Sequence, residues 1–219
     1  MKKRVGFVGC YSHDVILMLA RLLCYMDKTV LIRDRNKRRT LQVSVPIPEG
    51  LCVSKATVEY NGFFYTRKSS GEEEEEQYEI ELIDFGMNGN QEDFAECTEI
   101  IIVTDMLLHH IRQLSELPLS ETKIGACIMR DAFEDICNGE AEVRSFLQRI
   151  PLKYRFYLAP DFRDVKNRYV CETRYEYQVS QASPEMQEAL YRLIRRLYPE
   201  VTKKELRRRV KHRERRRYR

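Results

Sequence analysis

The side chains able to do chemistry gather at the ends of apolar runs. Gly9-Cys10-Tyr11-Ser12-His13-Asp14 follows Arg4-Val5-Gly6-Phe7-Val8, Asp34 closes Thr29-Val30-Leu31-Ile32-Arg33, and Asp84 closes Tyr78–Ile83. A polar loop between a buried strand and the start of a helix is where open α/β sheets bind phosphate-bearing ligands. A phosphate cradle, however, needs glycines so that backbone amides curl around the anion, a lysine for charge and a Ser/Thr for magnesium. Here one glycine is followed by Cys10 and Tyr11, and no lysine lies between Lys3 and Lys28. Asp14 also brings its own negative charge to the positive end of the helix it opens. The loop is read either as a nucleotide holder or as a structural turn capped by Ser12 or Asp14, and its residue types favour the turn.

These groups need a sheet to hold them. Asp14 to Met26 is apolar on most sides, with Arg21 the only full charge inside it, so the spacing predicts a core helix between two buried strands. Leu41 to Val45 reads as a strand stopped by Pro46-Ile47-Pro48. Cys52 to Glu59 and Phe63 to Arg67 read as a hairpin around Asn61-Gly62. Ser69-Ser70-Gly71 and the five glutamates Glu72 to Glu76 predict a solvated loop, because adjacent carboxylates repel. Further strands are expected at Ile100–Thr104, Lys123–Met129 and Tyr154–Leu158. Helices are expected at Met106–Leu117, with Leu107, Leu108, Ile111, Leu114 and Leu117 on one face, and at about 140–149. Ser183-Pro184 starts another, Ser as cap and Pro at the first helical position. Its apolar face is Met186, Ala189, Leu190, Leu193, Ile194 and Leu197. Strands alternating with helices predict an α/β fold with a doubly wound, mostly parallel sheet.

Composition bounds the partners. Residues 203–219 hold 11 Lys/Arg against 2 Glu, a net +9, and the rest of the chain holds 27 against 32, a net −5. The expected division is a body over residues 1–200, with the hairpin and acidic loop at about 46–77, and a basic helix or tail over 201–219. Seven cysteines without a C-x-x-C pair suit a reducing cytosol and argue against a zinc site or disulfide framework. His109 and His110 are read as exposed or half-buried, with metal ligation remote. No leader or membrane-spanning run is read in the sequence, and the expected place is the cytoplasm, peripheral at most to the inner face of the membrane.

In this order and spacing the segments Tyr78–Gly86, Glu96–Thr104, Leu107–Leu117 and Leu158–Asp161 with Val165–Arg168 resemble the ParA/MinD branch of P-loop ATPases, and most closely the CpaE/TadZ-like accessory proteins of pilus and secretion machines. The resemblance covers nearly all of residues 3–198. It implies a P-loop NTPase-like, three-layer fold with a small hairpin insertion, and it implies that Asp84 is the family's acidic-motif carboxylate, which would meet magnesium if nucleotide bound. Ser12 stands about where the phosphate-binding lysine belongs, and His13 and Asp14 replace the magnesium-binding Ser/Thr pair. Arg33 takes the place of a water-positioning carboxylate, with Asp34 one step further on and turned to the other face. Gly9, Ser12, His13, Asp14, Arg33, Asp34 and Asp84 are therefore the expected remnant of a nucleotide site.

The resemblance and the altered loop together imply a pseudo-ATPase adaptor or positioning factor, with a pilus or secretion component as partner and homodimerisation open. The expected cofactor is none. ATP with magnesium stays open through an arginine (Arg33 or Arg35) or Lys37 standing in for the loop lysine. Thr202-Lys203-Lys204-Glu205 is a capping box, predicting a helix to about Arg217 whose only apolar residues are Leu206 and Val210. Lys203, Lys204, Arg207, Arg208, Arg209, Lys211 and Arg213 are its candidate contacts for a partner, nucleic acid or anionic lipid.

Overall fold

The computed structural model describes residues 3–68, 77–119, 123–150 and 152–216. The glutamate run and the end of the basic tail lie outside them. Eight strands form one sheet in the order β3-β4-β2-β5-β1-β6-β7-β8. They are β1 (Lys3–Gly9), β2 (Val30–Asp34), β3 (Thr57–Tyr60), β4 (Phe63–Thr66), β5 (Ile80–Gly86), β6 (Glu99–Thr104), β7 (Ile124–Arg130) and β8 (Arg155–Leu158). Every pairing is parallel except β3 with β4. Strands that read as unbroken apolar runs are buried on both sides, as a parallel sheet requires.

Alternation along those strands feeds two cores. Ile101 and Val103 point to one face, where they join α1 (His13–Tyr25), α7 (Pro184–Leu197) and Leu206 and Val210 of α8 (Lys203–Arg216). Ile100 and Ile102 point to the other, with Phe94 of α2 (Gln91–Ala95), Ile111 and Leu114 of α3 (Leu108–Glu116), Cys137 of α4 (Glu134–Gly139) and Val143, Phe146 and Leu147 of α5 (Ala141–Gln148). A period of two in the strands thus sorts neighbouring residues into opposite layers. The result is a three-layer, doubly wound α/β fold.

Several local expectations change. Residues 41–45 form no strand; Gln42–Ser44 is a 3-10 turn. Phe63–Thr66 already pairs with the β2 edge, and the prolines that follow cannot donate to a ladder. The hairpin is shorter than expected at its start and joins the main sheet. In α3, Leu107 and Leu108 are exposed and only Ile111 and Leu114 of the expected face are buried within the helix. Residues 162–174, where no helix is expected from the sequence, are helical: α6 (Phe162–Arg174) is capped by Asp161. Its inward residues are Asp164, Asn167 and Cys171, at helical spacing but mostly polar, so no apolar stripe announced it. Asp164 accepts hydrogen bonds from the Ser183 amide at 2.8 Å and hydroxyl at 2.7 Å, which satisfies the buried carboxylate.

The basic helix α8 is docked. Leu206 and Val210 are buried, and so is Glu214, which accepts from the Val179 amide at 2.9 Å and the Ser180 amide at 3.2 Å. Arg209 and Arg213 both reach Asp27. Polar anchors thereby supplement an apolar face two residues wide. No helix among the described residues is long and apolar enough to cross a membrane.

Candidate functional site

The β1–α1 loop sits at the carboxyl edge of the sheet. Gly9 has φ +127°, and a Cβ there would lie 1.9 Å from the Val103 carbonyl oxygen, so its neighbour strand β6 demands the glycine before any ligand does. The Cys10 amide donates to that same carbonyl at 2.9 Å. Tyr11 then takes a left-handed turn at φ 56°. Ser12 does not cap α1 with its side chain; its hydroxyl donates to Asp84 Oδ1 at 3.1 Å.

Behind the loop lies a buried ion pair. Arg130, at the end of β7, donates to both carboxylate oxygens of Asp14, at 2.5 and 2.9 Å, and to the Tyr11 carbonyl at 2.8 Å. Burial alone would push the Asp14 carboxyl up, but the charge and hydrogen bonds of Arg130 outweigh it and hold the carboxyl below its usual value. An arginine from elsewhere does reach the loop, and the loop's own carboxylate consumes it. Arg35 is engaged too, with Asp93 at 2.8 Å and Glu96 at 3.2 Å.

Asp34 and Asp84 are register partners on adjacent strands, and Asn36 joins them. Its amide N–H donates to Asp34 at 3.0 Å and its side chain to Asp84 at 3.1 Å. Tyr65 donates to Asp34 at 2.9 Å, Arg67 stands 3.8 Å away, and the Gly86 amide donates to Asp84 at 3.0 Å. Burial pushes the Asp84 carboxyl up to about 6, with the Asp34 charge adding to the rise and hydrogen bonds from Asn36, Gly86 and Ser12 opposing it. Burial likewise raises Asp34, against the Tyr65 and Asn36 hydrogen bonds.

The structure therefore gathers Ser12, Asp34 and Asp84, and joins Asp14 to Arg130. It does not bring Arg33 to this group. Arg33 pairs with Glu81 and donates to the Lys68 carbonyl at 2.6 Å, because successive strand residues face opposite layers. His13 is buried with Nε2 3.3 Å from Glu172 of α6. Sequence reasoning missed Arg130, Asn36, Tyr65 and Arg67. Arg130 had a signal: it ends the run Ile124–Met129 as Asp84 ends its own.

On the opposite bank of the loop, Cys10 meets His110 and Asp105. His110 Nδ1 is 3.6 Å from Cys10 Sγ and 2.8 Å from Asp105 Oδ1. The Leu107 amide donates to Asp105 Oδ1 at 3.0 Å. Burial and the Asp105 charge push the Cys10 thiol up, so the thiol is not poised as a nucleophile.

Along α8, Lys203 pairs with Glu188, Arg209 with Glu205 and Asp27, and Arg213 with Asp27. Lys204, Arg207, Arg208 and Lys211 are exposed, as is Arg215. The 204, 208, 211, 215 spacing sets four of these cations on one outward face.

No family model matches the chain, and no curated protein does. Solved structures do. McdA of Cyanothece, in its apo form, superposes with a TM-score of 0.63 at 10% identity, over 90% of this chain and 100% of that one. A chain of the MinC:MinD cell division complex of Aquifex aeolicus gives 0.61 at 13% identity, over 88% and 96%. A plasmid partition protein of Borrelia burgdorferi bound to AMPPNP gives 0.56 at 9% identity, over 92% and 100%. At these identities the likeness is one of fold, and the fold is that of the ParA/MinD-type P-loop NTPases.

Proposed function

We propose that the chain is a non-catalytic, ParA/MinD-like adaptor or positioning protein, a pseudo-ATPase that keeps the frame of a nucleotide switch without its phosphate chemistry. The observation that carries this reading is the Asp14–Arg130 pair. Phosphoryl transfer rests almost wholly on positioning and charge neutralisation. Here the loop has no lysine, and the guanidinium behind it is neutralised by the residue standing where a magnesium-binding hydroxyl is expected. Asp84, buried and shared among Ser12, Asn36 and Gly86, acts in this reading as a structural acceptor. The resemblance to CpaE/TadZ-like proteins supports a pilus or secretion component as the partner. That one of the similar structures is a MinC:MinD complex supports a protein partner more generally. Isothermal titration with Mg-ATP should give no binding heat up to millimolar nucleotide, and phosphate release should equal that of buffer. Micromolar binding, or hydrolysis lost in Asp84→Ala, would establish instead an atypical ATPase using the same edge.

The outward basic face of α8 favours a second reading, contact with nucleic acid or anionic lipid. Binding to duplex DNA should then fall steeply with salt and disappear when Lys204, Arg207, Arg208 and Lys211 are changed together to serine. Salt-insensitive binding, or binding that survives those changes, rejects this reading.

A further inference from the structure

Cys10 and His110 are 100 residues apart in sequence, and the sheet brings them together. The parallel register Gly9↔Val103 sets Cys10 beside Thr104, so Asp105 follows one step on. The turn into α3 then returns His110 over both. Cys10 and Asp105 are buried and His110 is half-buried. Sγ, the imidazole nitrogen and a carboxylate oxygen all lie within 4.8 Å of one another.

We infer that Cys10, Asp105 and His110 bind a zinc-class divalent cation through Sγ, a carboxylate oxygen and Nδ1, with a fourth position left for water or a ligand from a partner. Tetrahedral zinc, with Zn–S about 2.3 Å and Zn–N about 2.0 Å, sets sulfur and nitrogen about 3.5 Å apart. The observed separation is 3.6 Å. The 2.8 Å imidazole–carboxylate contact is a hydrogen bond in the absence of metal. It must widen by about half an ångström for both atoms to serve one ion, which a small carboxylate rotation supplies. A thiolate in the set selects zinc over oxygen-seeking magnesium or calcium.

A Cys–His–Asp catalytic relay is excluded by the same geometry. In a relay the thiol and the carboxylate address different ring nitrogens, whereas here both face Nδ1. Three donors converging on one point are what a metal needs and what a proton relay cannot use. The ion would fasten the loop after β1 to the loop after β6. The inference does not depend on the adaptor reading.

The test is titration of the reduced, full-length chain with Co2+ as a spectroscopic stand-in for zinc. One equivalent should bring a near-ultraviolet sulfur-to-cobalt charge-transfer band with the visible bands of a tetrahedral site, and zinc should displace it. Cys10→Ser should abolish the charge-transfer band, and His110→Ala should weaken affinity by at least about a hundredfold. Cys52→Ser, at an exposed cysteine, should change neither. Should Cys10→Ser fail to fold by circular dichroism, His110→Ala decides alone. Zinc should also slow alkylation of Cys10 in the unaltered chain, read by peptide mass. No charge-transfer band, a band that persists in folded Cys10→Ser, or unchanged affinity in His110→Ala overturns the assignment.

Discussion

The two banks of the Gly9–Asp14 loop treat their carboxylates in opposite ways. Toward α1, Asp34 and Asp84 accept hydrogen bonds from Tyr65, Asn36, Ser12 and Gly86, and Asp14 is locked by Arg130 of β7. Toward α3, Asp105 meets a ring nitrogen and an amide, with a thiol close by. The first bank has turned its polar groups inward and satisfied them. In the second, a thiol, an imidazole and a carboxylate converge within 4.8 Å of one another. Position at the carboxyl edge of a parallel sheet therefore does not by itself make a site; what matters is whether the side chains there have already spent their charge on each other.

Breaking the closed bank should give the largest effect. Arg130→Met strands Asp14 as a buried, unpaired carboxylate and should cost about 3–5 kcal/mol of unfolding free energy in urea. Adding Asp14→Asn should recover much of that loss, since removing both charges is far cheaper than removing one. A loss below about 1 kcal/mol in the single variant would show that water reaches the pair and that the bank is open after all.

A smaller effect separates Asp84 from ordinary carboxylates. Unfolded, it ionises near 3.8; folded, near 6. Between those values the folded protein still holds a proton that the unfolded chain has released, so stability falls as pH rises through this window and stays lower above it. The shift corresponds to on the order of 2–3 kcal/mol, and Asp34, raised by burial as well, acts in the same sense. Asp84→Asn should flatten the fall in stability between about pH 4 and 6. An unchanged slope would place its origin elsewhere.

The smallest change concerns α8. Lys204→Ser with Arg208→Ser should leave stability within about 0.5 kcal/mol, because both side chains are exposed. Glu214→Ala should cost about 1–3 kcal/mol by leaving the Val179 and Ser180 amides without their acceptor. Equal costs for the two variants would mean that charge at large, rather than the buried anchor, holds the helix.

The sheet was legible because its strands are apolar runs with polar ends, and Ser183-Pro184 announced α7. What was hidden had physical reasons. The helix over Phe162–Arg174 turns Asp164 and Asn167 inward, so a search for apolar period finds nothing. Arg33 and Asp34 are adjacent in sequence yet belong to opposite layers, and only the strand register tells which reaches Asp84. The residue types of the loop, Asp14 among them, favoured a structural turn, but the partner of Asp14 lies 116 residues away. The Cys10, Asp105 and His110 cluster is likewise a product of register, invisible to any search for short ligand spacing.

On the reading proposed above, the Asp14–Arg130 clasp makes a phosphate cradle hard to build into this loop one residue at a time. A lysine introduced at position 12 would arrive beside an intact clasp, while a hydroxyl introduced at position 14 would first set free a buried guanidinium with nothing to neutralise it. In the proposed reading, the step at position 14 passes through a less stable protein, so selection for folding alone would act as a ratchet against it.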